Sequence, residues 1–310
     1  MRVGLQVSWF SPCDLSLLFL LVREMQADSR RFRYLGRMEK KNPLKLLIFA
    51  CFFVVLSGCL EKTKATSLDR VAVVGASVTA GWGVQTPPIK GDFGGYPINM
   101  QHIMDAMILV PHEEVAYLGN AMFFTRPDKF GLELIEEISN YEPTLVVAVD
   151  YLFWFAYGNI DSPEKRIEKF TRGLSLLNNI NAPLIVGNIP DVHKAIGKML
   201  SASQVPTVET INTMNRMLRS WALLHPNATV LDVHGLYKSL LSDTKITMST
   251  YTWPAGSQAD LLQPDLLHTT LEGTVAAALA VADISELDGF ETDPKIIMLE
   301  AAALARQEKN

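Results

Sequence analysis

Val71-Ala72-Val73-Val74-Gly75-Ala76-Ser77-Val78-Thr79-Ala80-Gly81 is the stretch whose reading decides the fold. Four apolar residues in a row, three of them β-branched, read as a short strand buried on both faces. The glycine at its end lets the chain turn tightly, and the serine then stands at the start of a helical turn. A strand with two apolar faces belongs to a parallel sheet covered by helices. The body of the chain repeats the pattern, with further strands expected near Glu114–Leu118, Thr144–Val149, Leu184–Val186 and Thr229–Leu231. Helices are expected between them. One opens at Ser162-Pro163-Glu164, where Ser can cap, Pro suits the first turn and Glu favours the dipole; another runs from about Thr207 to Leu224. The pattern predicts an α/β fold, a single doubly wound parallel five-stranded sheet sandwiched by helices. No Pro/Gly/Ser-rich linker or internal repeat interrupts residues 68–284, which are expected to form one domain. Residues 285–310, acidic and ending Ala-rich, are expected as a tail or peripheral helix.

In open parallel sheets chemistry gathers at the carboxyl ends of the strands. Ser77 follows the first strand, where it can gain from the exposed amides of a helix start. Its own N–H is also a ready donor to an oxyanion. Strand-Gly-x-Ser alone is a weak signal. A second signal lies far along the chain, in Pro264-Asp265-Leu266-Leu267-His268, ahead of an Ala-rich helix. A spacing of three lets both side chains turn to one side. The imidazole can then take a serine proton while the carboxylate holds its other nitrogen. Each motif alone is common, and the two at opposite ends of one α/β domain are specific.

On these residues the chain resembles the SGNH/GDSL hydrolases, which place a nucleophile in a Gly-Asp-Ser turn after strand one and end in Asp-x-x-His. Gly94-Gly95-Tyr96-Pro97 is also similar to the stretch that opens the next helix in many members. The resemblance spans roughly residues 69–284 and implies a flavodoxin-like SGNH fold. It implies a serine ester hydrolase of the esterase, lipase or deacylase class, acting through an acyl-enzyme without cofactor or metal. Ser77 takes the place of the nucleophile, Asp265 of the orienting acid and His268 of the base. Three positions depart from the family. Ala76 replaces the Asp that supports the turn. Gly119 and Asn120 are the nearest candidates for the oxyanion donor of the second block. Where the third block reads Gly-x-Asn-Asp, this chain has Asp150-Tyr151-Leu152-Phe153-Trp154. An ionised carboxylate cannot donate, so the Asn donor is expected to come from elsewhere. These departures leave two alternatives open: a catalytically impaired envelope protein with a binding or assembly role, and acyl transfer on the same triad.

Residues 38–59, MEKKNPLKLLIFACFFVVLSGC, have the layout of a signal peptide: Lys40, Lys41 and Lys45 precede an apolar run from Leu46 to Leu56. The run falls short of the roughly 20 residues that span a bilayer. Leu56-Ser57-Gly58-Cys59 resembles the lipobox of bacterial lipoproteins, which implies lipidation of Cys59 and an anchor in the cell envelope. Leu60 in place of Asp points to the outer membrane. Cys13 and Cys51 lie upstream, so the mature chain is expected to hold no free thiol and no disulfide. Met38 is the expected true start, with residues 1–37 an upstream mis-start region, 38–58 the signal peptide and 59–67 a short tether.

Other function classes are disfavoured. The composition, 48% hydrophobic and 20% charged, is globular. Residues 59–310 carry 19 Lys/Arg against 29 Asp/Glu, a surface that repels nucleic acid. Gly75, Gly81 and Gly83 do not fit dinucleotide spacing, and no Lys follows as a P-loop requires. His102, His112, His225 and His234 lack ligand-like spacing, so no metal is expected. Asp191 and His193 read as a polar loop, and Tyr151, Phe153, Trp154, Phe155 and Tyr157 read first as core. The expected partner is an ester: a small molecule, a lipid or an acylated polysaccharide.

Overall fold

A computed structural model describes residues 67–308. The expected upstream region, the signal segment 38–58, Cys59 and the tether up to residue 66 lie outside the described residues. Five strands, β1 (Val71–Gly75), β2 (Ala116–Gly119), β3 (Leu145–Ala148), β4 (Leu184–Gly187) and β5 (Ala228–Leu231), form one sheet in the order β2-β1-β3-β4-β5. Every pairing is parallel. This is the doubly wound sheet expected from the sequence, and its order reverses between β1 and β3. β2 starts two residues later than expected, where the Val115 N–H is taken by the Asp105 side chain (2.9 Å).

Side chains alternate across the strands, so each face has its own core. Val74, Val146 and Val186 pack on one side with α2 (Pro127–Tyr141), α4 (Pro163–Leu177) and α5 (Val208–Leu223). Val73, Val147 and Ile185 pack on the other with α1 (Met100–Met107), α8 (Leu271–Ser285) and α9 (Pro294–Gln307). Between these elements lie α3 (Phe153–Ala156), α6 (Val233–Leu241), the hairpin β6 (Ile246–Met248) and β7 (Tyr251–Trp253), and α7 (Gln258–Leu261). The long helices begin where the sequence places caps: Ser162 accepts from the Lys165 N–H and Thr207 from the Thr210 N–H.

The segment after residue 284 is more than a tail or a peripheral helix. Asp293 caps α9, Pro294 occupies its first turn, and Ile297, Ala301, Ala302 and Ala305 are buried in the same core as α1. The spacing of four puts these apolar positions on one face, and Arg306 ties the far end to Asp92 (2.8 Å) and the Pro87 carbonyl (2.7 Å). The domain therefore continues through α9. Replacing the fully buried Ile297 by Ala is expected to cost about 2–4 kcal/mol, read as a lower urea midpoint with an unchanged slope; a loss below about 0.5 kcal/mol would show that α9 does not share in the core.

Candidate active site

The reversal of strand order between β1 and β3 opens a crevice at the carboxyl ends of those strands, and the residues that follow them meet there. Ser77 follows β1 and is half-buried. Its Oγ lies 3.1 Å from His268 Nε2, and His268 Nδ1 lies 2.7 Å from Asp265 Oδ2. An ionised carboxylate can only accept, so the hydrogen bond to Asp265 places a proton on Nδ1 and leaves Nε2 to accept from the serine hydroxyl.

The loop that carries His268 and Asp265 is tightly held. Asp265 Oδ1 accepts from the N–H groups of Leu267 (2.9 Å) and His268 (3.0 Å), closing the turn, and Leu266 inside it adopts a left-handed φ of 55°. Tyr237 donates to the Leu266 carbonyl (2.6 Å) and Lys198 to the Pro264 carbonyl (2.9 Å). Gln263 donates to the carbonyls of Trp82 (2.6 Å) and Thr269 (2.8 Å), so the loop is fastened directly to the segment following Ser77. The imidazole is almost fully buried, with the half-exposed Trp82 ring 5.9 Å away at the rim. Partial burial pushes the Asp265 pKa up, but the hydrogen bonds from the His268 ring and the two N–H groups outweigh it and hold the carboxyl below its ordinary 3.8.

Asp150 was expected only as the place of a missing donor. In the structure its carboxylate holds the Ser77 turn. Oδ1 accepts from the Ala76 N–H (2.9 Å) and the Thr79 hydroxyl (2.6 Å), and Oδ2 from the N–H groups of Val78 (2.7 Å) and Thr79 (3.4 Å). Burial raises its pKa, against the pull of these four donors. Gly75 is what admits the carboxylate: a Cβ there would lie 2.1 Å from Asp150 Oδ1. The Ser77 N–H is skipped by this array and has no protein acceptor among the described residues. A sequence signal existed, an Asp at the end of the strand facing the Gly-x-Ser turn, but only the strand order reveals that the two meet.

The candidate Gly119 ends β2, beside β1, and Asn120 follows it. The Asn120 N–H is committed to the Gly75 carbonyl (3.0 Å), and its Oδ1 accepts from the Met122 N–H (2.9 Å), which fixes the side-chain amide. The backbone donor of Asn120 is thus spent on the sheet, leaving only its Nδ2 as a donor. Asp191 and His193 hydrogen-bond each other on a partly exposed loop. The five aromatics from Tyr151 to Tyr157 are buried in the core. Among the described residues no group of three or more His, Cys, Asp and Glu could hold a metal ion.

No family profile and no curated protein matches the chain. Among solved structures it is similar to a lipase/acylhydrolase from Enterococcus faecalis, at 15% identity and a TM-score of 0.44 over 72% of this chain and 100% of the other. It is also similar to the acetylxylan esterase Axe2 from Geobacillus stearothermophilus, at 15% identity and a TM-score of 0.47 over 74% and 100% of the two chains.

Asp150→Ala leaves the Ala76 and Val78 N–H groups and the Thr79 hydroxyl without their acceptor, and is expected to cost about 3 kcal/mol of unfolding free energy in urea at neutral pH; an unchanged midpoint would deny the carboxylate its hold on the turn. A second expectation concerns pH. Because the folded-state pKa of Asp265 is depressed, its contribution to stability is present above the ordinary value of 3.8 and is lost as pH falls through the lower folded value. Urea unfolding between pH 6 and pH 2 should show this loss in the wild type and a shallower dependence in Asp265→Asn.

Proposed function

We propose that the chain is a serine ester hydrolase, with Ser77 as nucleophile, His268 as general base and then acid, and Asp265 as the residue that orients the imidazole. The observation that carries this reading is the hydrogen-bonded series Ser77 Oγ, His268 Nε2, His268 Nδ1, Asp265 Oδ2, at 3.1 Å and 2.7 Å. In this reaction Ser77 Oγ attacks the ester carbonyl as its proton passes to Nε2, and Asp265 stabilises the imidazolium that forms. The unpaired Ser77 N–H is suited to receive the charge that develops on the carbonyl oxygen, with the side-chain amide of Asn120, whose backbone pairs with Gly75 just before the turn, the candidate second donor. The imidazolium returns its proton to the leaving alcohol, and a water deprotonated by Nε2 then attacks the acyl-enzyme and frees Ser77. The short Ser77–His268 distance favours this over a fold that has lost its catalysis. Acyl transfer uses the same first half and differs only in which hydroxyl attacks the acyl-enzyme.

The test is labelling of a soluble chain starting after Cys59 with a fluorophosphonate probe. The wild type should label, Ser77→Ala should not, and His268→Ala should label at least about a thousandfold more slowly. Absence of labelling in folded wild type, or labelling that survives Ser77→Ala, overturns the reading.

The lipobox-like sequence supports a lipid-anchored site of action in the bacterial envelope, at the outer membrane, with a small ester, a lipid or an acylated polysaccharide as substrate. Cys59→Ala in the full chain should abolish incorporation of labelled palmitate and move the protein from the membrane to the soluble fraction; incorporation that persists would reject the anchor.

A further inference from the structure

Ser77 lines a cavity of about 110 Å³ whose walls are mostly apolar, unlike a sugar site. It is lined in turn by residues that follow β1 (Ser77), β3 (Phe153), β4 (Ile189) and β5 (Leu236), and it continues to Met248 on β6 and Ala277 on α8. From β1 to β5 the sheet order counts three strand intervals, so the strands that supply its walls span roughly 14 Å of sheet at about 4.8 Å per interval. An elongated space of this kind admits a linear chain.

Its polar groups are already committed. The Asn188 amide donates to Asp232 (2.7 Å) and accepts from the His234 N–H (2.7 Å). The Tyr237 hydroxyl donates to the Leu266 carbonyl, Thr269 pairs with Thr274 (2.7 Å), and Asp150 is held by its four donors. A polar substrate group moved here from water would meet mostly hydrocarbon and few partners to replace those it lost, whereas hydrocarbon gives up nothing.

We infer that this cavity binds the acyl half of the substrate and that the acyl group is an unbranched hydrocarbon chain of about six carbons, with the alcohol half outside at the Trp82 rim. The inference rests on the hydrolase reading above and deepens it by naming the acyl class. The length follows from the volume: a dry cavity of about 150 Å³ holds the six carbons of benzene, so about 110 Å³ holds roughly four to five, the tail of a six-carbon acyl group whose carbonyl carbon stays at Ser77. Small residues on α8 create the space. Ala276 and Ala277 leave room where a larger side chain would fill it, while Gly273 lets α8 pack against the Leu261 carbonyl, where a Cβ would come within 1.9 Å.

The experiment compares p-nitrophenyl acetate, butyrate, hexanoate, octanoate and dodecanoate on the soluble chain. Each methylene taken up should raise kcat/KM about threefold to fourfold, giving on the order of a hundredfold between acetate and hexanoate and a decline by dodecanoate. Ala277→Leu should reduce the ratio of hexanoate to acetate turnover at least tenfold, and Met248→Ala, which enlarges the cavity, should move the optimum to longer chains. A preference for acetate, or a flat series whose turnover still depends on Ser77, overturns the acyl assignment and leaves the hydrolase reading standing. Binding to the Ser77→Ala chain reads the cavity without chemistry: by calorimetry methyl hexanoate should bind at least tenfold more tightly than methyl acetate, even if no ester is turned over. Equal binding of the two overturns the inference independently.

Discussion

Asp150 places a carboxylate at the β1–β3 boundary, in a position to pull the chain after β1 into the turn that presents Ser77. The turn has several successive N–H groups with no strand to receive them, and an unpaired buried donor costs about 1–3 kcal/mol. One carboxylate satisfies three of them and the Thr79 hydroxyl as well. Burying that charge is itself costly, and the four donors are what make it tolerable. The array omits the N–H of Ser77, the one donor that an attacked carbonyl would need. A side chain reaching from the opposite strand can be selective in this way because its two oxygens have fixed positions relative to the turn.

Two of the departures from the SGNH/GDSL pattern therefore belong together. Ala76 lacks the carboxylate that supports the turn in the family, and Asp150 stands where the third block would supply an Asn donor. Ala76 is fully buried against the core of the α2 and α4 face, an environment hostile to a charge, so support must come from outside the turn. Asp150 supplies it, and Gly75 leaves the opening it needs. Relative to the resembled motif, the carboxylate comes from the segment after β3 and not from the turn itself. This also means that a second oxyanion donor, if the proposed reaction uses one, has to come from a position other than the third block.

Much of the fold was legible in the sequence because its signals are local. Val71–Val74 is apolar on both faces, and Ser162 and Thr207 mark helix starts within a residue. What eluded sequence reading was non-local. The importance of Asp150 depends on β3 lying beside β1, a neighbour relation set by sheet order and not by spacing. Asn120 looks like a free donor in the sequence, yet pairing between β2 and β1 consumes its N–H. Residues 285–310 look like a tail because the positions their helix buries are mostly alanines, small side chains whose value lies in close packing against α1. The juxtaposition of Ser77 with Asp265 and His268 was inferred by resemblance. Periodicity alone places neither motif in the crevice.

The same logic bears on the loop that holds His268. Ser77 and His268 are 191 residues apart, and a hydrogen bond across such a separation survives only if both ends are fixed by something other than that bond, since ordering a loop costs about 1–2 kcal/mol per residue. Gln263 provides the fixing. Its amide spans from the Trp82 carbonyl, five residues past Ser77, to the Thr269 carbonyl beside His268, and the Gln263 N–H closes on the His268 carbonyl at 2.8 Å. Tyr237 on α6 and Lys198 in the loop after β4 hold two further carbonyls, of Leu266 and Pro264. The imidazole is thus positioned by contacts from several parts of the sheet's carboxyl edge. The cavity beside it is walled by some of the same segments, Leu267 and Tyr237 among them. Side chains that order the His268 loop therefore also close the apolar space next to Ser77, so the position of the imidazole and the shape of the cavity are set by one packing arrangement.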